Sequence, residues 1–289
     1  MVYLIPTSTT EHLIEGIKAR ENKLRIIFPE KNREGRGCFP DGEIYMKISR
    51  AGRIKKKRVI VLHSGSPKPN QGLIELELIL QILRDNSIKP EVFFTYFPYG
   101  MQDKVFEKGE TNVAENLIEK LVNYYRVKKI YIIDPHFGGQ KWVKKYPIKS
   151  ISLAPLLIKR TEKDIGKDIL FLSPDEGGVR RTGFSGIKKE RLDSFRVKYF
   201  SPKLRLKRKT IGVVDDIIET GGTVLSFYNI LKKAGAEKVI LLASHGVLPS
   251  GISRVKKKFF KTYLANTIKQ KSANVDITDL VLKVMLNQE

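Results

Sequence analysis

Six apolar, β-rich runs recur along the chain, each bounded by turn signals: Arg58 to Ser64 (RVIVLHS), Lys89 to Phe97, Lys128 to Asp134, Asp168 to Pro174, Thr210 to Asp216 and Lys238 to Ser244. Their apolarity is continuous rather than alternating, the pattern of strands covered on both faces. Between them the apolar positions take helical spacing over Gly72 to Asn86, Thr111 to Tyr125 and Thr223 to Ala234, the last followed by Gly235 where a helix C-cap belongs. Strand, helix and strand in succession predict right-handed crossovers and parallel sheets, hence an α/β fold. The pattern runs through twice, so we expect two similarly built domains, 1–148 and 149–276, with a soft boundary near Lys149. Helical spacing returns over Ile277 to Asn287, and the segment 277–289 is expected to pack back on the first domain.

Composition narrows the setting. A chain of 289 residues with 41% hydrophobic side chains can bury cores of ordinary size, so disorder is not the default. The single cysteine, Cys38, excludes an intramolecular disulfide, and the four histidines are too scattered for a His/Cys metal cluster. The first residues lack a basic segment followed by an apolar one, and no run reaches the ~18 apolar residues of a membrane span. A cytoplasmic protein with no membrane partner is therefore expected. Charge is the unusual feature: 54 Lys and Arg against 31 Asp and Glu leave a net +23. Such a field favours polyanions or phosphorylated small molecules. Aromatics do not alternate with the short basic clusters at Arg53 to Arg58 and Lys256 to Lys258, so no nucleic-acid partner is expected, and a solvated basic face accounts for either cluster alone.

Chemistry concentrates in VVDDIIETGGT, Val213 to Thr223. An apolar strand carries two carboxylates, crosses a Thr-Gly-Gly turn and enters a helix. At the carboxyl end of a parallel strand, the turn's N–H groups and the helix N-terminus aim positive partial charge at one spot. A sugar phosphate suits that spot: Gly221 and Gly222 let the backbone approach phosphate oxygens, Thr220 and Thr223 add hydroxyl donors, and Asp215 and Asp216 can hold ribose hydroxyls. A plain strand-to-helix turn capped by Asp and Thr explains any one of these residues, but not the full set.

This string resembles the phosphoribosyl diphosphate (PRPP) loop of the phosphoribosyltransferase superfamily. Further motifs, in order and spanning nearly the whole chain, resemble those of the ribose-phosphate pyrophosphokinases: FPDGE at Phe39 to Glu43, PNQGLIEL at Pro69 to Leu76, the segment Tyr96 to Glu110, IDPH ending at His136, SPDEGG at Ser173 to Gly178, SHGVL at Ser244 to Leu248 and NTI at Asn266 to Ile268. The resemblance implies two phosphoribosyltransferase-like domains and a Mg²⁺-dependent enzyme that moves the β,γ-diphosphoryl group of ATP onto ribose 5-phosphate. It also implies a homo-oligomer, because FPDGE in that family reaches the ATP of a neighbouring subunit. By position it implies ATP contacts at Phe39, Asp41, Glu43, Met101, Gln102 and Asp103. Ribose 5-phosphate contacts fall at Asp175, Asp215, Asp216, Glu219, Thr220, Gly221, Gly222 and Thr223, metal contacts at His136 and Asp175, and a catalytic pair at Lys203 and Arg205.

Two positions depart from the family pattern. Where Arg-Gln-Asp is usual, this chain reads Met101, Gln102, Asp103, replacing a guanidinium by an apolar thioether. Either Met101 packs on the nucleotide base, or it faces the core and Lys104 supplies the charge. In the PRPP loop Glu219 stands where aspartate is usual. Two other readings stay open at this point: a phosphoribosyltransferase that consumes PRPP, which has no use for the ATP motifs, and a non-catalytic paralogue, which has no use for Asp175, His136 and Lys203.

Overall fold

The computed structural model describes residues 1–174, 188–191, 197–200 and 206–287. The chain divides into two compact units, Met1–Ile151 with Ile277–Glu289, and Ser152–Asp276.

Unit 1 is built on β1 (Val2–Pro6), β2 (Leu24–Ile26), β3 (Arg58–Ser64), β4 (Glu91–Tyr96), β5 (Lys129–Ile133) and β6 (Ile148–Ile151), in the order β2-β1-β3-β4-β5-β6. Every pairing is parallel. Helices α1 (Glu11–Arg20), α2 (Pro69–Asp85) and α3 (Val113–Glu119) connect them, and α3 runs into a π-turn at Lys120–Tyr124 in which the Tyr125 N–H reaches back to Lys120 O at 3.2 Å. Continuous apolarity is justified by burial: Val59 to Leu62, Val92 to Phe94 and Ile130 to Ile133 are all inaccessible or nearly so. Beneath the carboxyl ends of β4 and β5 lies an aromatic group in which Phe97 packs on Phe94 and Phe137, and Phe137 stacks on Trp142 at 5.0 Å.

Unit 2 carries β7 (Leu170–Leu172), β10 (Thr210–Ile218), β11 (Lys238–Gly246) and β12 (Lys261–Leu264), again all parallel, in the order β12-β11-β10-β7. Its helices are α4 (Ala154–Ile165), α5 (Gly222–Lys233) and α6 (Pro249–Lys256). Between β7 and β10 the chain also forms an antiparallel pair, β8 (Lys188–Arg191) and β9 (Val197–Phe200). Thus β3-β4-β5-β6 and β7-β10-β11-β12 repeat one chain order and one direction, the duplicated α/β architecture that the pattern of apolar runs predicts.

The structure adds elements that periodicity does not signal, notably β1, β2, β6 and β12, each of three to five residues and too short to display a period. The run IYMKI after FPDGE forms no strand; only the isolated Cys38 to Ile44 bridge pairs there. Ile44 to Lys47 are partly or fully exposed, so no sheet edge recruits them.

The last helix, α7 (Thr278–Met285), belongs to unit 1. Arg58 donates to the Met285 carbonyl at its C-terminus, where the helix dipole favours a cation. The same guanidinium grips the buried Glu91 carboxylate with two bonds of 2.9 and 2.7 Å, and Lys128 and the Tyr131 hydroxyl also reach it, at 3.3 and 3.2 Å. Burial pushes the Glu91 carboxyl up, but the bonds and charge of Arg58, aided by Lys128, pull harder and hold it below the ordinary 4.5. A depressed folded-state value contributes stability that is complete above 4.5 and lost as pH falls through the folded value. Glu91→Gln should therefore destabilise unit 1 by about 2 kcal/mol at neutral pH. The gap from wild type should shrink between neutral pH and a pH below the folded value. Trp142, the single tryptophan and a buried residue of unit 1, reports that transition by fluorescence in denaturant. A gap unchanged between the two pH values would exclude the carboxylate as its source.

Candidate active site

In a parallel sheet all strands deliver their carboxyl ends to one edge, so the connecting turns there converge. In unit 2 that edge holds the end of β10. The strand runs on through Ile218, which puts Asp215 and Asp216 inside it, both buried, with the Asp216 N–H donating to Asp215 Oδ1 at 3.0 Å. Glu219, Thr220 and Gly222 are exposed. Gly221 is the N-cap of α5 with φ of +78°, the left-handed region that glycine tolerates without strain. The Gly222 N–H lies 3.4 Å from Thr220 Oγ1, and no acidic residue occupies the first turn of α5 to neutralise its positive end.

Two residues that no sequence motif marks shape this turn. Gly251, on α6, has no room for a side chain: a Cβ there would sit 1.8 Å from the Glu219 carbonyl oxygen. Arg254, one turn further on, donates from Nη1 to the Thr220 carbonyl at 3.1 Å. The only signal in the chain is that both follow SHGVL, and nothing local announces their partner.

SHGVL and NTI are brought together by a short relay. The Thr267 hydroxyl donates to the Ser244 carbonyl at 2.7 Å, which spends its one hydrogen. The 2.9 Å contact between His245 Nδ1 and Thr267 Oγ1 then has the ring as donor. Asp175, Lys203 and Arg205 lie outside the described residues.

In unit 1 the matching edge gathers the β3–α2, β4–α3 and β5 turns. Gly65 passes so close to the next turn that a Cβ would meet Pro98 N at 2.5 Å, and its N–H donates to Tyr96 O at 2.7 Å. After β4, Met101 is 40% exposed and Gln102 is exposed, whereas Asp103 is buried. The Asp103 carboxylate accepts from Gln140 Nε2 at 2.7 Å, and its carbonyl accepts from the Trp142 indole at 3.1 Å. Met101 thus does not face the core. Lys104 sits with Nζ 4.6 Å from the centre of the exposed Phe106 ring, and Val105 beside it is also exposed. After β5, the partly exposed His136 opens a 3₁₀ turn, His136–Gly139, behind buried Asp134 with φ of +35°.

FPDGE forms a tight reversal. Phe39 N–H bonds Glu43 O at 2.7 Å, Gly42 N–H bonds Phe39 O at 3.0 Å, and Asp41 Oδ1 accepts from Glu43 N–H at 3.0 Å. Gly42 has φ of +95°. Phe39 is 44% exposed, its ring in a T-shaped pair with Tyr45 at 5.8 Å, and Asp41 and Glu43 are exposed beside it.

Comparison with known proteins agrees with this arrangement. Residues 32–125 match the model of the N-terminal domain of ribose phosphate pyrophosphokinase. The ribose-phosphate pyrophosphokinase of Pyrococcus abyssi is 28% identical over 98% of both chains. That of Pyrococcus furiosus is 30% identical over 93% of this chain and 98% of its own. The crystal structure of phosphoribosylpyrophosphate synthetase from Mycobacterium smegmatis superposes with a TM-score of 0.81 over 99% of each chain at 22% identity, which shows a shared fold. Near-complete coverage at this level of identity, in a chain whose turns fall at the ends of two parallel sheets, shows that the protein belongs to the ribose-phosphate pyrophosphokinase family.

Proposed function

We propose that the chain transfers the β,γ-diphosphoryl group of ATP to O1 of ribose 5-phosphate, giving PRPP and AMP. The observation that carries this reading is the β10–α5 turn: exposed Thr220 and Gly222 at a helix N-terminus with no acidic residue in its first turn, next to two buried carboxylates. In this reading Thr220, Gly221, Gly222 and Thr223 take the 5-phosphate, and Asp215, Asp216 and Glu219 take the ribose, with Asp175 beside them. The O1–Pβ bond forms as Pβ separates from the oxygen bridging it to the α-phosphorus. AMP leaves with that oxygen, and the O1 proton passes to solvent. Because such transfers spread negative charge over peripheral oxygens, the residues' task is positioning and cationic stabilisation, which we assign to Lys203 and Arg205.

For the nucleotide, the exposed Met101 offers an apolar surface to a base, with Gln102 beside it and Val105 and Phe106 exposed further along the same segment. Asp103, held by Gln140 and Trp142, fixes the segment's path and is the least available of the three for direct contact. Phe39, Asp41 and Glu43 stand out from their reversal with room for a partner, which supports a homo-oligomer in which they complete a neighbour's ATP site. The reading includes a cytoplasmic setting, in which the free thiol of Cys38 stays reduced.

Among the described residues no three His, Cys, Asp or Glu side chains gather into a metal cage. That sparse donor set fits Mg²⁺, which keeps several waters, takes phosphate oxygens and asks for only one or two protein ligands. His136, directly or through water, and Asp175 would hold it. When bound it supplies charge neutralisation on the ATP phosphates.

Three outcomes test the reading. With ATP, Mg²⁺ and ribose 5-phosphate, ³¹P NMR should show AMP and PRPP rising together; ADP with a monophosphorylated sugar would defeat the assigned reaction. Lys203→Ala and Arg205→Ala should each lower kcat by about 10² or more with little change in KM, as expected of groups that act in the transition state. Near-normal turnover in both would return the pair to the solvated basic surface. Finally, an apolar Met101 surface is indifferent to which base lies on it, so GTP should support kcat/KM within about tenfold of ATP, and Met101→Arg should lower the KM for ATP. Strict ATP selectivity untouched by the substitution would refute this role.

A further inference from the structure

The contacts of α6 with the β10–α5 turn have a directional consequence. A trans peptide is planar, and its C=O and N–H point in opposite directions. The Glu219 carbonyl presses on α6 at Gly251, 1.8 Å from the position a Cβ would occupy, so the N–H of the same peptide, that of Thr220, points away from α6. The Thr220 carbonyl is drawn to Arg254 Nη1 at 3.1 Å, so the Gly221 N–H points away as well. Among the described residues neither N–H has a hydrogen-bond partner. Val255 on the same helix lies against Gly221, where a Cβ would meet its Cγ1 at 2.8 Å, leaving the turn no space to rock back. Successive free N–H groups beside a helix N-terminus form an oxyanion cradle.

We infer that α6 is the template of this cradle, and that Gly251 and Arg254 are positioning residues for the 5-phosphate of the sugar substrate: they pin two carbonyls on one side of the turn so that two N–H groups stand ready on the other. The inference rests on the reading of the turn as the sugar-phosphate site. The guanidinium acts through the backbone, binding a carbonyl that would otherwise be free to flip its peptide and withdraw the Gly221 donor. Arg254 is exposed and has no ion-pair partner among the described residues, so it is not there to neutralise a carboxylate.

The test compares Arg254→Ala, Arg254→Lys, Gly251→Ala and, as a control on the turn itself, Thr223→Ala in the full-length protein. Ribose 5-phosphate binding is measured by calorimetry, and KM values for both substrates by initial rates. Arg254→Ala should raise the dissociation constant and the KM for ribose 5-phosphate by about tenfold while the KM for ATP stays within about twofold, the signature of lost ground-state binding. Arg254→Lys should recover part of that loss, since an ammonium can still donate to the carbonyl. Gly251→Ala should weaken ribose 5-phosphate at least as strongly, with the Trp142 unfolding transition of unit 1 unmoved. If Thr223→Ala weakens ribose 5-phosphate and Arg254→Ala does not, the template role is wrong and the site reading stands. If neither variant changes ribose 5-phosphate binding, the site reading itself fails. Equal losses for ribose 5-phosphate and ATP would overturn the positioning role in favour of general destabilisation.

Discussion

Parallel pairing is the constraint on which the rest depends. Among the described residues both main sheets contain only parallel neighbours, so each strand must be followed by a crossover before the next can begin, and every crossover departs from the same edge. The turns that leave β10 and β11 in unit 2, and β3, β4 and β5 in unit 1, meet at these edges without further design. The apolar runs that satisfy burial on both faces are also what hold the turns in place: Val213, Val214 and Leu241 to Ala243 anchor the stem beneath the Thr-Gly-Gly turn.

What a parallel edge does not supply is orientation of individual backbone dipoles. At the β10–α5 turn it comes from α6, whose glycine lets one carbonyl in and whose arginine holds the next. In unit 1 a comparable task falls to side chains: Gln140 and Trp142 hold Asp103, and Phe137, which meets Phe97 edge to face and stacks on Trp142, packs beside the segment on which Met101 stands exposed. In the proposed nucleotide role the packed backing and the exposed apolar tip would be complementary, since a binding surface is effective when its own ordering cost is met before the ligand arrives.

Charge enters in two ways. Most of the +23 is spread over exposed lysines and arginines, where it raises the local concentration of phosphorylated ligands without specifying any. A few cations are committed: Arg58 to Glu91 and the end of α7, Arg254 to the Thr220 carbonyl, Lys104 to the Phe106 ring. For Arg58 and Arg254 that commitment is visible only through partners distant in the chain.

The amino-acid sequence alone determined the parallel α/β architecture, because continuous apolar runs alternating with helical spacing leave few other ways to bury both faces. It also determined the PRPP-type turn, because an acid pair, threonines and glycines at a strand-to-helix junction are local chemistry. FPDGE was legible as a motif for the same reason, but whether a strand follows it was not, since that depends on whether a sheet edge is near. Met101 was open between core and surface until the aromatic packing beneath it settled which way the segment turns. Gly251 and Arg254 were invisible for a plain physical reason: they lie about thirty residues from the turn they shape, and a carbonyl acceptor leaves no mark on the side chain of the residue that carries it.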